Sequence, residues 1–336
     1  MSRLLGMVGH NDVLQALCRS LDRNAVPNGI LLHGSPGRGR MTLARKLAAE
    51  LISEPGDAES KDRIEREAHP DLVVVRRGEE SREILIAQVR ELKEWFSLQG
   101  VLSNRRVAIV QDADRLTQEA GNALLKTLEE PPIGSHLILI ARGRDLIMET
   151  LASRCQAFHM GPVPRADVEE FLRSKGVSPQ SAGLLSLLSE GRPGWALRVY
   201  EKDLEKNLLA PVRELLRCHS SPFRSAESLV LQSKSSAKLE GARERLTEWL
   251  EVAMRYLQLR MRLAMGLPDG QLLVEVDATT SSILSTWSFQ DLESALEAMA
   301  DTVQILMKNV SLDLALESLG GRMGRLTSVA ETSGGV

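Results

Sequence analysis

The sequence predicts an α/β domain with a mostly parallel five-stranded sheet, followed by regions made only of helices. Short apolar runs alternate with helical patterns over roughly the first 160 residues, which is typical of a parallel sheet with helices on both faces. A glycine-rich turn joins the first apolar run to a helix, the context that a phosphate-binding loop requires. Beyond residue 164 the strand patterns end and amphipathic helical patterns continue.

The first elements are predicted to be a helix, a strand, a glycine-rich turn and a second helix. Residues 1–28 place apolar side chains on one helical face and are followed by a strand at 30–33. Residues 34–39 form the turn. The helix after it has one apolar face with a period of four residues, made by Leu43, Leu47 and Leu51.

The middle of the domain supplies the other predicted strands. Residues 54–71 are highly charged and predict a solvated loop or a short exposed helix. Strands are predicted at 72–76, at 137–141 and near Phe158. Between the first two of these lies a helix whose apolar face is made by Leu85, Val89, Leu92 and Phe96.

The stretch from Val107 to Pro132 combines a strand, an acidic turn and a helix with a defined end. Thr117 is a candidate N-cap for a helix with Ala120, Leu124 and Leu128 on one face. The two prolines at 131–132 end that helix, because proline lacks an amide donor and disfavours a helical residue before it. Acidic residues at the carboxyl end of such a strand are where a nucleotide-binding sheet would hold a metal.

The glycine-rich turn has the shape of a phosphate-binding loop but lacks part of its chemistry. Its candidate nucleotide-binding residues are Gly34, Gly37, Gly39, Arg40 and Thr42. Arg40 replaces the lysine of the pattern G-x-x-x-x-G-K-[S/T], and Met41 replaces the hydroxyl that binds magnesium. A thioether does not bind Mg²⁺, and Thr42 lies one residue too late, so its hydroxyl is aimed about 100° away.

Composition limits the classes of function. Lys+Arg 42 against Asp+Glu 45 gives a net charge of -3, which argues against a protein that coats nucleic acid by bulk electrostatics. Cys18, Cys155 and Cys218 are far apart in sequence, which predicts neither a disulfide framework nor a cysteine-based zinc site. With no apolar run of ~18 residues, the sequence predicts a cytoplasmic protein.

Two motifs give a specific resemblance. The run N-A-L-L-K-T-L-E-E-P-P at 122–132 and the triplet Ser153-Arg154-Cys155 together resemble the AAA+ clamp-loader subunits of bacterial DNA polymerase III. The resemblance implies an AAA+ ATPase-like domain at 1–164, a small helical lid at 165–205 and a helical collar at 206–330. A disordered tail is predicted at 331–336.

The resemblance also shows which catalytic positions have changed. Gln111 and Asp112 stand where motor subunits of the family have an Asp-Glu pair for metal binding and water activation. The sensor at the end of the next strand is Ala141, and the lid arginine of the motors falls at Gly194, although Arg192 is close to it. We therefore expect this chain to lack an ATPase activity of its own and to need no cofactor.

The position that acts on a neighbouring subunit is retained. Arg154 matches the family's arginine finger, with Ser153 as a local cap and Cys155 as a small buried residue. The alternative is that Arg154 only pairs with an acid at a domain edge. Lys126 and Arg105 are candidate DNA contacts near the functional edge of the sheet, and the alternative for each is a solvated surface base.

The resemblance implies partners and leaves two other functions open. The expected partners are the motor (gamma/tau) and delta subunits, the sliding clamp and primer-template DNA, with ATP and Mg²⁺ bound by neighbouring subunits. The zinc module of many family members is absent, since residues 54–71 contain no cysteine. One alternative is an active motor-type ATPase in which Arg40 and Thr42 compensate. The other is a non-replicative AAA+ adaptor.

Overall fold

The computed structural model describes residues 4, 6–78, 81, 83–201, 239–266, 285, 287–307 and 311–332. The chain divides into two compact units. One comprises Met1–Gly176 and Ser189–Leu197, and the other comprises Val177–Leu188 and Arg198–Val336. The predicted sheet lies in the first unit and the predicted collar in the second.

A single five-stranded parallel sheet forms the centre of the first unit, in the order β2-β3-β4-β1-β5. The predicted strands are all present, and the prediction of the fold class is confirmed. The fourth begins two residues earlier than expected. The strands are β1 Gly29–His33, β2 Leu72–Val75, β3 Arg106–Val110, β4 Ser135–Ala141 and β5 Gln156–His159.

Helices cover both faces of this sheet because successive strand residues point to opposite sides. Ile30 and Leu32 pack in one apolar cluster with helices α1 and α2. Leu31, between them, packs in a second cluster with α4, α5 and α6. The helices of this unit are α1 Asn11–Asp22, α2 Arg40–Ile52, α3 Ala58–Glu65, α4 Ile86–Ser97, α5 Gln118–Glu129, α6 Glu149–Ala152 and α7 Arg165–Ser174.

Helix α5 has the beginning and end that its sequence predicts. The hydroxyl of Thr117 accepts a hydrogen bond of 3.2 Å from the amide of Ala120, and the helix ends at Glu129, just before the prolines. Ala120 and Leu124 are fully buried against the sheet. Gly121 lets α6 approach closely, because a Cβ there would overlap the sulfur of Met148.

The second unit is helical in the part of the chain that the structure describes. Leu250, Tyr256 and Leu257 are at its apolar core, packed with residues of the two helices that follow. The remaining helices are α8 Pro179–Leu188, α9 Pro193–Glu201, α10 Leu239–Ala264, α11 Phe289–Met307 and α12 Leu312–Thr332. Among the described residues, no helix is long and apolar enough to cross a membrane.

The predicted domain boundaries stay predictions. The lid at 165–205 contributes to both compact units, and its last four residues lie outside the described part of the chain. So do large parts of the predicted collar, at 206–238, 267–284 and 308–310, and Cys218 with them. Helix α12 runs to Thr332, so the first two residues of the predicted disordered tail are helical, and 333–336 lie outside the description.

Candidate functional site

The glycine-rich turn between β1 and α2 has the backbone of a phosphate-binding loop. Gly37 and Gly39 have φ of 85° and 86°, a left-handed conformation that glycine adopts without strain. The carbonyl of Gly39 accepts the first hydrogen bond of α2, from the amide of Leu43 at 2.8 Å. At Gly34 a Cβ would overlap the carbonyl oxygen of Met160. The backbone of the turn therefore has the conformation that the sequence pattern predicts.

Arg40 extends from the start of α2 to the carboxyl edge of the sheet. Its guanidinium donates to the carbonyl of Ala141, the last residue of β4. The same carbonyl accepts from the amide of Gly34 at 3.2 Å. Burial lowers the pKa of Arg40, and the nearby carboxylates of Asp112 and Asp114 act in the opposite direction. An arginine remains charged at neutral pH, so a fixed cation occupies this edge.

The two residues after Arg40 differ in their surroundings. Met41 packs partly buried against the apolar cluster shared by α1, α2 and the sheet. Thr42 is exposed on the next position of the helix. Of these two side chains only Thr42 carries a hard oxygen, and the expected loss of the magnesium ligand stays a prediction.

Each acidic or amide side chain after β3 has an arginine partner. The amide oxygen of Gln111 accepts from Arg76 at 2.9 Å. The Asp112 carboxylate lies 3.8 Å from the Nε of Arg77. These two arginines follow β2, the strand next to β3, and no local sequence pattern connects them with the site.

Asp114 is the most buried carboxylate at this edge, with 1% of its side chain exposed. It accepts from Nε of Arg142 at 2.7 Å and from the backbone amide of the same residue at 3.2 Å. With its charge balanced, this carboxylate has little attraction left for a cation. Within the described ranges, no group of three or more His, Cys, Asp or Glu could hold a metal ion.

A segment from the predicted lid covers the middle of the glycine-rich turn. The amide of Gly194 donates to the carbonyl of Gly37 at 2.9 Å. A Cβ on Gly37 would lie 3.0 Å from that of Trp195. The guanidinium of Arg192 stacks on Trp195, 5.4 Å from the ring centroid. Gly194 thus contacts the loop through its backbone.

The Ser153-Arg154-Cys155 triplet follows α6 and precedes β5. Arg154 is exposed, its Nη1 donates to the carbonyl of Thr150 at 3.0 Å, and its Nη2 lies 2.6 Å from Glu129. The hydroxyl of Ser153 donates to the same Thr150 carbonyl at 3.2 Å. The acid pairing weighed as the alternative for Arg154 is therefore present, between two exposed side chains.

Arg154 and the glycine-rich turn lie at opposite edges of the sheet. Arg154 precedes β5, and its carbonyl oxygen would be 3.0 Å from a Cβ on Gly29, the first residue of β1. The turn begins after His33, at the other end of β1. Four residue steps along a strand span about 13 Å. The finger candidate therefore points away from the nucleotide loop of its own chain.

Comparison with known proteins finds similarity to subunits of DNA polymerase III. The family model described as "DNA polymerase III, delta subunit" matches residues 9–164. DNA polymerase III subunit delta' of Bacillus subtilis is 33% identical over 180 residues, which cover 52% of this chain and 54% of that protein. The subunit from Pseudomonas aeruginosa is 27% identical over 274 residues, or 78% of this chain and 82% of the relative. This chain is related to the DNA polymerase III delta-prime subunits.

The resemblance predicted from the two motifs is therefore confirmed. The chain matches about half the length of the Bacillus subtilis and Escherichia coli delta-prime subunits. A solved structure, a gamma subunit-related protein from Thermotoga maritima, covers 93% of this chain and 98% of its own with a TM-score of 0.51. Its sequence identity is 21%, so this likeness shows the fold alone.

The structure contradicts one expectation about the candidate DNA contacts. Arg105 directly precedes β3 and donates to the side chain of Asn24. It therefore lies at the amino edge of the sheet and not near the nucleotide loop. Arg106, the first residue of β3, is 6% exposed and stacks on Trp95. Lys126 is exposed on α5, as predicted.

Cys155 is half-buried and not fully buried as expected, and burial raises the pKa of its thiol to about 12. We expect it to react with iodoacetamide at pH 8 about 10³-fold more slowly than a cysteine with a pKa near 8.5, since the thiolate is the nucleophile. Peptide mass spectrometry of the alkylated protein measures the rate, with urea-unfolded protein as the control. Equal rates in the folded and unfolded protein would contradict the prediction.

Proposed function

We propose that this chain is a non-hydrolysing subunit of the DNA polymerase III clamp loader and supplies Arg154 to the ATP site of an adjacent subunit. The complex would load the sliding clamp onto primed DNA at the expense of ATP. The relation to delta-prime subunits supports membership of that complex. The observation that carries the finger role is the exposure of Arg154 at the sheet edge opposite the chain's own nucleotide loop.

The chemistry of the proposed role follows from the charge of phosphoryl transfer. Negative charge spreads over the transferred phosphoryl group in the transition state, and a guanidinium placed there stabilises it. Such a finger contributes about 10³-fold or more to the rate. Since Arg154 points away from its own loop, the phosphate that it contacts belongs to another subunit.

The arginines at the carboxyl edge of the sheet support the proposal that this chain does not hydrolyse ATP. Arg40 places a cation at the carboxyl edge of the sheet, on the carbonyl of Ala141. Asp112 and Asp114 have arginine partners, and the neutral Gln111 cannot act as a general base. On this proposal, ATP and Mg²⁺ are bound by the neighbouring motor subunits, and this chain requires no cofactor.

The proposed partners follow from the same role. The AAA+ and collar regions would contact the motor (gamma/tau) and delta subunits, and the assembled ring would act on the sliding clamp and primer-template DNA. The apolar core around Leu250 and Tyr256 gives the C-terminal helices a framework on which such contacts can be built.

The absence of hydrolysis is tested with the purified chain and labelled ATP. We expect no Mg²⁺-dependent turnover above the solvent background. Arg40→Ala serves as the control, because it changes the loop of this chain and leaves a contaminating ATPase unaffected. Turnover that scales with the protein and changes in this variant would overturn the claim and favour the motor-type alternative.

A further inference from the structure

The side chain of Arg154 is held at two points, although it is exposed. Nη2 contacts Oε1 of Glu129 at 2.6 Å, and Nη1 donates to the carbonyl of Thr150 at 3.0 Å. Its backbone is also fixed, since its carbonyl oxygen lies against Gly29 at the start of β1. An exposed arginine otherwise samples many rotamers, and ordering them costs free energy.

The position of Glu129 is set by the fold and not by a flexible loop. It is the last residue of α5, whose inner face is packed against the sheet through Ala120 and Leu124. The prolines at 131–132 end the helix directly after it. The backbone of Glu129 is thereby held relative to the sheet. Glu130, the next residue, is also exposed and makes no ion pair among the described residues.

We propose that Glu129 is a positioning residue for Arg154, an inference that rests on the proposed function. Both side chains of the pair are exposed, so the pair contributes little to folding stability. Its effect is geometric, because it holds the guanidinium near the orientation needed at the neighbour's phosphate. An arginine has five N–H donors, and the two contacts leave donors for phosphate oxygens. Preorganisation of this kind acts on the rate of the bound complex.

The test uses the clamp-loader complex reconstituted with its motor and delta subunits, the sliding clamp and primed DNA. We expect Glu129→Ala to lower kcat for ATP hydrolysis at the adjoining site about fivefold, with KM for ATP changed less than about twofold. Glu129→Gln should retain part of the rate, because its amide oxygen still accepts from Arg154. Glu130→Gln removes the same charge one residue away and should leave kcat unchanged.

A double-mutant cycle separates this inference from the function on which it rests. In an Arg154→Ala background, Glu129→Ala should have no further effect. If Arg154→Ala alone leaves hydrolysis unchanged, the proposed function fails. If Arg154→Ala lowers hydrolysis but Glu129→Ala does not, or lowers it equally in both backgrounds, the positioning role is overturned and the finger role stands. Gel filtration of each complex confirms assembly.

Discussion

Replacing Arg154 by alanine is expected to lower ATP hydrolysis at the adjoining subunit's site by about 10³-fold, without preventing assembly of the complex. The reason is that the guanidinium would neutralise part of the charge that develops in the transition state, in addition to the metal. The fold should be unaffected, because the ion pair with Glu129 is 38% and 46% exposed and such pairs contribute at most about 1 kcal/mol. Single-turnover hydrolysis by the reconstituted complex, with clamp and primed DNA, measures the effect.

Two further variants give the Arg154 experiment its controls. Arg173→Ala, on α7, removes another exposed arginine that pairs with a glutamate at 2.6 Å, and it should leave hydrolysis unchanged. Arg154→Lys keeps the charge but loses the planar fork of donors, so it should restore only part of the rate. Unchanged hydrolysis in Arg154→Ala would reject the finger role and leave Arg154 as a surface ion pair.

Local patterns in the sequence were sufficient to predict the fold. The strand at β3, the Thr117 cap and the proline stop each depend on residues within a few positions of one another, and all are found. The glycine-rich turn is also a local motif. Its predicted loss of a magnesium ligand stays a prediction, and the structure adds that Thr42 is exposed and Met41 is packed against the apolar cluster.

The candidate site depends on contacts between residues far apart in the chain, which local sequence patterns do not predict. Arg40 contacts Ala141 across 101 residues, and Arg76 contacts Gln111 across 35, so neither pair follows from spacing. The error on Arg105 has a related cause. Whether a residue at a strand terminus lies at the amino or carboxyl edge depends on strand direction. In a parallel sheet, a residue that precedes β3 lies opposite the nucleotide loop.

The largest effect on folding stability is predicted for a substitution of Asp71. Its carboxylate is fully buried and accepts hydrogen bonds from the amides of Val101, Leu102 and Ser103 at 2.7, 2.8 and 2.9 Å. Arg106, also buried, lies 3.6 Å from it. The side chains of Val101 and Leu102 are 64% and 60% exposed, so apolar burial contributes little to holding this loop. The carboxylate therefore fixes the loop's conformation.

We expect Asp71→Ala to lower the free energy of unfolding by about 3–5 kcal/mol, because it leaves the guanidinium of Arg106 buried without its counter-charge and three amides without an acceptor. Urea unfolding of the variant measures the loss, and hydrogen exchange at residues 101–103 should accelerate with it. Asp62→Ala is the matched control, since it breaks an exposed pair with Arg66 and should cost less than about 0.5 kcal/mol. A loss below about 1 kcal/mol in Asp71→Ala would mean that water replaces the carboxylate, and that the loop before β3 is held by other contacts.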